Sequence, residues 1–130
     1  MNYEFIKNLA YFLLANPIRI KLRSKSLGEK NIHTVLNLHR VSPDQNSTFE
    51  PLDTQLFDDF LFFCKKHFTL TNFKDLDGHQ KSLHKQKKPL LTLSFDDGYK
   101  DFIKYAMPIL EKHKISVNQN IIPGCVETGL

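Results

Sequence analysis

The sequence is poor in the features that mark several large classes of protein. Its two cysteines, Cys64 and Cys125, lie far apart, which excludes a Cys-x-x-Cys zinc knuckle or redox motif. Its uninterrupted apolar run Leu9 to Ala15 is far below the roughly 20 residues that span a bilayer, and no clear signal-peptide cleavage site follows it. The compartment therefore stays open between the cytoplasm and the cell envelope.

Length and charge narrow the choice further. With 130 residues the chain has room for one domain with a real core, but not for a whole (β/α) barrel of about 200 to 250 residues. The net charge is +4, because two basic segments, Arg19 to Lys30 and Lys81 to Lys88, carry four net positive charges each and the rest of the chain carries four net negative ones. Neither interleaves aromatic residues, so we interpret both as solvated surface and expect no nucleic-acid partner, with an acidic polymer or anionic lipid as the minor alternative.

The first 31 residues are predicted to precede the domain, which spans 32–130. Apolar residues at helical spacing predict an amphipathic helix from Tyr3 to Ala15. Apolar and basic residues then alternate from Ile18 to Arg23, which predicts a short edge strand packed on the domain or, as second choice, a strip that contacts a membrane peripherally. The polar stretch Ser24 to Asn31 is interpreted as a linker.

Strands and helices alternate after this linker. Thr34 to Leu38 is the first predicted strand, and Asp53 or Thr54 can cap a helix that runs to about His67. The low-complexity stretch Gly78 to Lys88 is interpreted as a mobile loop, whose histidines are poor ligand candidates. The residues predicted to line the buried face of the helix are Leu56, Phe57, Phe60, Leu61, Phe63 and Cys64.

A βαβ unit is predicted in the last third of the chain. Leu90 to Phe95 forms a short apolar run typical of a strand that is covered on both faces. A helix kinked by Pro108 follows, and Ile115 to Ile122 is the next strand, parallel to the first. The predicted buried face of this helix comprises Phe102, Ile103, Ala106, Ile109 and Leu110.

Two aspartates, Asp96 and Asp97, follow directly on the Leu90 to Phe95 strand. Ligands and catalytic groups collect at the carboxyl ends of parallel strands, and adjacent carboxylates there are costly without a cation or a shared proton. Neighbouring residues of an extended chain point to opposite sides, so we expect the two aspartates to have different roles. A solvated Asp-Asp-Gly turn is the plainer alternative. We favour the functional interpretation because of the apolar run before the pair.

These residues also resemble a known family. Ser94-Phe95-Asp96-Asp97-Gly98 is similar to the first motif of the polysaccharide deacetylases, the NodB homology domain, where Thr-Phe-Asp-Asp-Gly is usual. Tyr99 to Asp101, with Tyr105 to Leu110, resembles the helix that follows this motif and its Pro-Ile-Leu signature. Val35 to Val41 resembles an early strand that commonly ends in Tyr-His-Arg-Val. The resemblance covers roughly His33 to Leu130.

The resemblance implies a fold, a reaction and a site. The fold would be α/β, the opening part of a distorted (β/α) barrel of the polysaccharide deacetylase type. Asp96 would be the catalytic base and Asp97 a ligand of a divalent metal, typically zinc, while His39, Gly98 and Tyr99 would line the substrate pocket. The substrate would be an acetylated polysaccharide or oligosaccharide, with N-acetyl preferred to O-acetyl. A short strand, Phe68 to Leu70, and a helix, Asn72 to Leu76, would precede the loop.

The sequence departs from the family pattern at two points. No His-x-x-x-His follows Asp97, and the only later histidine, His113, is interpreted as a surface residue. Polar amides at Asn118 to Asn120 stand where relatives often have Thr-Phe-Phe. The remaining metal ligands would come from beyond Leu130 or from another chain. The sequence would then be a fragment, expected to self-associate through its last strand, or a natural short form.

Two other functions remain open from the sequence. A degenerate deacetylase domain could bind glycan without catalysis. Acidic pairs at a parallel-strand end also bind magnesium in phosphotransfer proteins, but no phosphate-binding glycine loop or helper lysine stands in an obvious place. We therefore expect a metal-dependent carbohydrate deacetylase first, and an inactive glycan-binding domain second.

Overall fold

The computed structural model describes residues 15–30, 32–76 and 88–124. Strands and helices alternate along these ranges, so the predicted α/β class is confirmed. The elements are, in chain order, helix α1 (Pro17–Glu29), strand β1 (His33–Leu38), helix α2 (Thr54–His67), strand β2 (Thr69–Thr71), strand β3 (Leu90–Phe95), a π-helical segment (Phe102–Ala106) that continues into helix α3 (Met107–His113), and strand β4 (Asn118–Gln119).

Strand β3 is the centre of a parallel sheet. β1 pairs with its whole length, from His33 opposite Leu90 to Leu38 opposite Phe95. β2 pairs with Leu90–Thr92, and β4 pairs with Ser94–Phe95. Because a strand has only two edges, β2 and β4 share the edge that β1 leaves free. The predicted parallel pairing of β3 with the strand after it is confirmed.

The core lies between β3 and the helices. All six residues of β3 are buried, as its apolar run predicts. The Phe95 ring meets the ring of Phe57 from α2 edge-on at 5.9 Å and that of Phe102 from the π-helical segment at 4.9 Å. Burial raises the pKa of the nearby Cys64 thiol to about 12. The predicted core cysteine is therefore confirmed, whereas Cys125 lies outside the described residues.

Helix α2 begins and ends where the sequence predicts. The Asp53 carboxylate accepts hydrogen bonds from the backbone N–H groups of Gln55 and Leu56 at 2.8 and 3.0 Å, which caps the first turn. Its buried face is narrower than predicted, since Leu56 and Phe63 are exposed, as is Ile103 in the π-helical segment. A helix that packs on one side of a sheet buries only one stripe of its surface, so residues at the margin of that stripe stay in water.

The prediction for residues 18–31 is wrong. Pro17–Glu29 is a single α-helix rather than an edge strand and a linker. Asn16 Oδ1 accepts a hydrogen bond from the Ile18 N–H at 2.9 Å, and Pro17 occupies the first turn, where its missing N–H costs nothing. Ile20 and Gly28 lie on the inner face, while Ile18 and Leu22 are exposed one turn apart. Six alternating residues are too few to separate a period of 2.0 from one of 3.6.

Other predicted elements are shorter in the structure or lie outside the described residues. The strand predicted over Ile115 to Ile122 is reduced to Asn118–Gln119, and residues 73–75 form a turn where a helix was predicted. The short strand near Phe68 is confirmed as Thr69–Thr71. The helix predicted from Tyr3 and the Gly78 loop fall almost wholly outside the described residues. None of the helices within the described ranges has the length and apolarity needed to cross a bilayer.

Candidate functional site

The carboxyl ends of β1, β3 and β4 meet at one edge of the sheet. Leu38 pairs with Phe95, so the residues that follow them, His39 and Asp96, leave the sheet at the same level. The Asp96 N–H donates to the Leu38 carbonyl at 2.9 Å, and the Asn120 N–H donates to the Phe95 carbonyl at 2.7 Å. Parallel pairing thereby brings together side chains that are far apart in the sequence.

Two carboxamides hold the Asp96 carboxylate. Asn37 Nδ2 donates to Asp96 Oδ2 at 2.5 Å, and Asn120 Nδ2 donates to Asp96 Oδ1 at 2.7 Å. These bonds, first that from Asn37 and then that from Asn120, lower the pKa of Asp96, with a smaller contribution from His39. Both amides are neutral, so the carboxylate is fixed in place and keeps its negative charge.

Sequence reasoning assigned no role to Asn37 and noted Asn120 only as a departure from the family pattern. Asn37 stands opposite Ser94 in the β1–β3 register, and Asn120 Nδ2 lies 3.2 Å from Ser94 Oγ. A polar residue close to the carboxyl end of a predicted parallel strand, at the edge where Asp96 lies, is the signal that could have identified both.

Asp97 and Gly98 form a left-handed turn. Their φ angles are 71° and 73°, so the prediction that Asp96 and Asp97 diverge along an extended chain is wrong in its geometry. The Asp97 carboxylate has no hydrogen-bond partner within the described residues, unlike that of Asp96. A Cβ on Gly98 would lie 3.2 Å from Ile121 Cγ2 in a conformation that L-residues rarely adopt. Glycine is therefore favoured at position 98 by the backbone.

Arg40 connects three parts of this edge. Its Nε donates to Asp101 Oδ2 at 2.7 Å, and its Nη1 donates to Ser47 Oγ at 3.0 Å and to the Phe49 carbonyl at 3.1 Å. The guanidinium also lies over the Tyr99 ring, 5.1 Å from the ring centroid. Asp101 is only 9% exposed, and its Oδ1 has no hydrogen-bond partner among the described residues. Sequence reasoning missed both Arg40 and Asp101.

The structure places the remaining predicted site residues around this network. The His39 ring meets the Phe49 ring edge-on at 5.6 Å, and Tyr99 is 40% exposed directly after the turn. His113 was predicted to be a surface residue, and this is wrong. Its side chain is only 12% exposed, and its Nε2 lies 2.5 Å from Asp58 Oδ1 on α2, far from Asp96 in the fold. Opposite charge on a neighbouring helix draws it inward.

The described residues do not complete a metal site. They contain no group of three or more His, Cys, Asp and Glu side chains that could hold an ion. A structural zinc takes four protein ligands and a catalytic zinc three. Asp97 offers one free carboxylate, so the donor set within the described ranges does not by itself fit zinc. A surface depression lined by Lys65, Asp75 and Lys114 includes none of the site residues.

Comparison with known proteins identifies the fold. No family model matches the chain, and no curated protein does. Several solved structures resemble it. Among them are the Streptococcus pyogenes deacetylase PplD in complex with acetate (23% identity, TM-score 0.61), the de-N-acetylase from Aggregatibacter actinomycetemcomitans (18%, 0.63) and IcaB from Ammonifex degensii (23%, 0.60). The fold is that of the polysaccharide deacetylases.

The match is partial for both partners of each comparison. It covers 73%, 74% and 72% of this chain, and 44%, 39% and 39% of the three solved proteins, respectively. The chain thus spans less than half the length of the proteins it resembles. The predicted fold, part of a deacetylase-type (β/α) barrel, is confirmed by these structural matches. Sequence identities below 25% support a shared fold and nothing further.

Proposed function

We propose that this chain carries part of the active site of a carbohydrate deacetylase. The observation that supports this most directly is the Asp96-Asp97 pair at the carboxyl end of the buried central strand of a deacetylase fold. One structural neighbour is a de-N-acetylase and another was solved with acetate, which favours an acetylated carbohydrate as substrate. We propose an N-acetylated polysaccharide as the substrate, with an O-acetylated one as second choice.

Asp96 is proposed as the general base. Its two amide bonds fix the carboxylate and favour its ionised form, so at neutral pH it is ready to accept a proton. A water oxygen would attack the acetyl carbonyl carbon while Asp96 takes the water proton. The C–N bond would then break, the proton would pass to the leaving nitrogen, and acetate and a free amine would result. The lowered pKa makes Asp96 a weaker base, so its placement must supply much of the catalysis.

Asp97 is proposed as one ligand of a divalent metal, with zinc as the first choice. Its carboxylate is unpaired within the described ranges and lies on the turn next to Asp96. The described residues alone do not complete the coordination, so further ligands must lie outside them. Such an ion would act as a Lewis acid at the scissile carbonyl.

Glycan binding without catalysis is the second candidate. It is favoured by the exposed aromatic ring of Tyr99, which follows the acidic pair in the sequence. The two candidates differ in one measurable respect, because only the first releases acetate.

The test compares Asp96→Asn, Asp97→Ala and the matched control Asp59→Asn, an exposed position on α2. Zinc content and acetate release from an N-acetylated oligosaccharide are measured for each variant and for the parent, all in a protein extended to contain the missing metal ligands. Asp96→Asn should keep the metal and lose about 100-fold or more in turnover, since general base catalysis contributes factors of that size. Asp97→Ala should lose metal and activity together, and Asp59→Asn should match the parent.

Two outcomes decide against parts of this proposal. If both site variants keep full metal content and full activity, the pair is a solvated turn and the mechanism is wrong. If the two phenotypes are exchanged, the site stands and the two roles are reversed. A parent protein that binds the oligosaccharide and releases no acetate supports the second candidate.

A further inference from the structure

We propose that Phe49 and Tyr99, both held by Arg40, form a sugar-binding platform that contacts a unit of the polymer adjacent to the one being deacetylated. Together the three residues are called the Arg40 platform. The proposal rests on the proposed function for the class of ligand, and it adds a binding subsite outside the acidic pair. No resemblance assigns a role to Phe49.

The first observation is that Phe49 is exposed on a loop that is firmly closed. Val41 and Leu52 form a β-bridge at the base of the loop. The Ser42 N–H donates to the Leu52 carbonyl, and the Leu52 N–H donates to the Arg40 carbonyl, both at 3.0 Å. Ser47 Oγ donates to the Phe49 carbonyl at 2.6 Å near the tip. The Phe49 ring is nevertheless 56% exposed, so the fold presents it to solvent in a fixed position.

The second observation is that Arg40 contacts both residues at once. It binds the backbone carbonyl of Phe49 through Nη1 and covers the Tyr99 ring with its guanidinium. The ion pair with the buried Asp101 carboxylate holds Arg40 itself in place. A cation on one face of the Tyr99 ring leaves the other face to contact a ligand. The Phe49 backbone and the Tyr99 ring are therefore positioned before a ligand arrives, which lowers the entropic cost of binding.

The third observation is the position of the platform. Tyr99 follows the Asp97-Gly98 turn directly, and Phe49 contacts the ring of His39, which leaves the sheet at the level of Asp96. A chain of sugar units that places one acetyl group at Asp96 would extend across neighbouring surface. The two rings form part of that surface.

The chemistry of the platform fits a carbohydrate better than a protein partner. A hexosamine ring has flat C–H faces bordered by polar groups, and an aromatic face buries such a surface well. The Phe49 loop carries short polar side chains, including those of Asp44, Asn46 and Ser47. Stable protein interfaces need about 800 Å² from each partner, far more than two separate rings provide.

The experiment measures binding of N-acetylglucosamine monomer and its β-linked tetramer to the parent and to Phe49→Ala and Tyr99→Ala. Phe62→Ala is the matched control, because Phe62 is 67% exposed on α2 and is not part of the platform. Titrations are followed by calorimetry and by the NMR signals of the labelled aromatic rings. We expect each platform variant to weaken tetramer binding roughly 3- to 10-fold, with little effect on the monomer.

Tyr99→Phe serves as the second variant at that position. It keeps the ring and should retain most of the tetramer affinity, whereas a role for the hydroxyl would make it behave like Tyr99→Ala. Phe62→Ala should bind like the parent, and thermal melts verify that each variant is folded. Ring signals of Phe49 and Tyr99 should shift with the tetramer in the parent.

The outcomes separate this inference from the proposed function. Ring-dependent tetramer binding without acetate release, in a protein extended to contain the missing metal ligands, supports the platform and contradicts the deacetylase proposal. Acetate release from tetramer that is unchanged in Phe49→Ala and Tyr99→Ala supports the deacetylase and overturns the platform. A parent protein that does not bind the tetramer, or a Phe62→Ala variant as weak as the platform variants, also overturns it.

Discussion

Asp96 and Asp58 each accept hydrogen bonds from two side chains, but the donors are of different kinds. Asp96, at the strand-end edge, accepts hydrogen bonds from the neutral amides of Asn37 and Asn120. Asp58, on α2, accepts a hydrogen bond from Lys112 Nζ at 2.7 Å through Oδ2. Its Oδ1 lies 2.5 Å from His113 Nε2. The pKa of both carboxyl groups is lowered, in Asp58 first by the bond from Lys112 and then by that from His113.

This difference separates a group that can do chemistry from one that holds the fold. The charge of Asp58 is compensated by the Lys112 ammonium, and the His113 ring adds a second contact from α3, so the cluster ties two helices together. The charge of Asp96 is oriented by two amide dipoles and has no cationic hydrogen-bond partner within the described residues. A carboxylate of the second kind can attract a cation or accept a proton. Fixed but unneutralised charge is therefore the feature that singles out the strand-end edge.

Asp101 is a third carboxylate in this comparison. Replacing its partner, Arg40, should have the largest effect on stability of the changes considered. Asp101 is a nearly buried carboxylate whose only described side-chain partner is Arg40. Arg40→Ala would leave that charge unpaired in the interior, and we expect it to lower the free energy of unfolding by about 3 to 5 kcal/mol. Urea unfolding measures this. Lys112→Ala is the control, because Lys112 is largely exposed and its loss should cost much less. Equal effects of the two changes would contradict the prediction.

The sequence predicted the central elements well because each carries a local signal. The apolar run of β3 is short and bounded, and α2 has an N-cap aspartate with a basic last turn. The carboxyl end of a parallel strand follows from chain direction alone, which located Asp96 and Asp97. These features need no knowledge of what lies across the sheet.

The side-chain contacts of the site could not be predicted in this way. The bonds from Asn37 and Asn120 to Asp96 join residues 59 and 24 positions apart, and Asp58 meets His113 across 55 positions. Such contacts depend on the register between strands and on how helices pack, and neither is written in a local pattern. The single helix α1 was missed for the opposite reason, because its local pattern was too short to be unique.

Removing the amides that hold Asp96 should give the next largest effect, and that effect should be on turnover rather than on stability. Asn37→Ala and Asn120→Ala each release one carboxylate oxygen, and a misplaced base loses about 10- to 100-fold in kcat with little change in KM. Removing either donor also raises the pKa of Asp96 towards its ordinary value, so the acid limb of the pH profile should move to higher pH. Gln119→Ala is the control, since Gln119 is the exposed neighbour of Asn120. Unchanged kinetics in both variants would show that the two amides are not needed for catalysis.

Replacing Asp58 should give the smallest effect. We expect a change in stability that depends on pH and leaves activity unchanged. Its pKa in the folded protein is lowered below the ordinary value of about 4, so the stability it contributes is present above that value and is lost as pH falls through the folded pKa. Asp58→Asn should therefore have a lower urea midpoint than the parent at neutral pH, and the gap should close as the solution becomes more acidic.

The opposing groups make this test specific to the cluster. Lys112 and His113 face Asp58 from α3, and both lose their negatively charged acceptor when Asp58 is replaced by Asn or protonated. Asp59→Asn, one residue along the same helix and exposed, should show no gap at any pH. Acetate release by Asp58→Asn should equal that of the parent under conditions where both are folded. A gap that stays constant down to low pH would mean that Asp58 acts through packing, and the charge-based contrast with Asp96 would then fail.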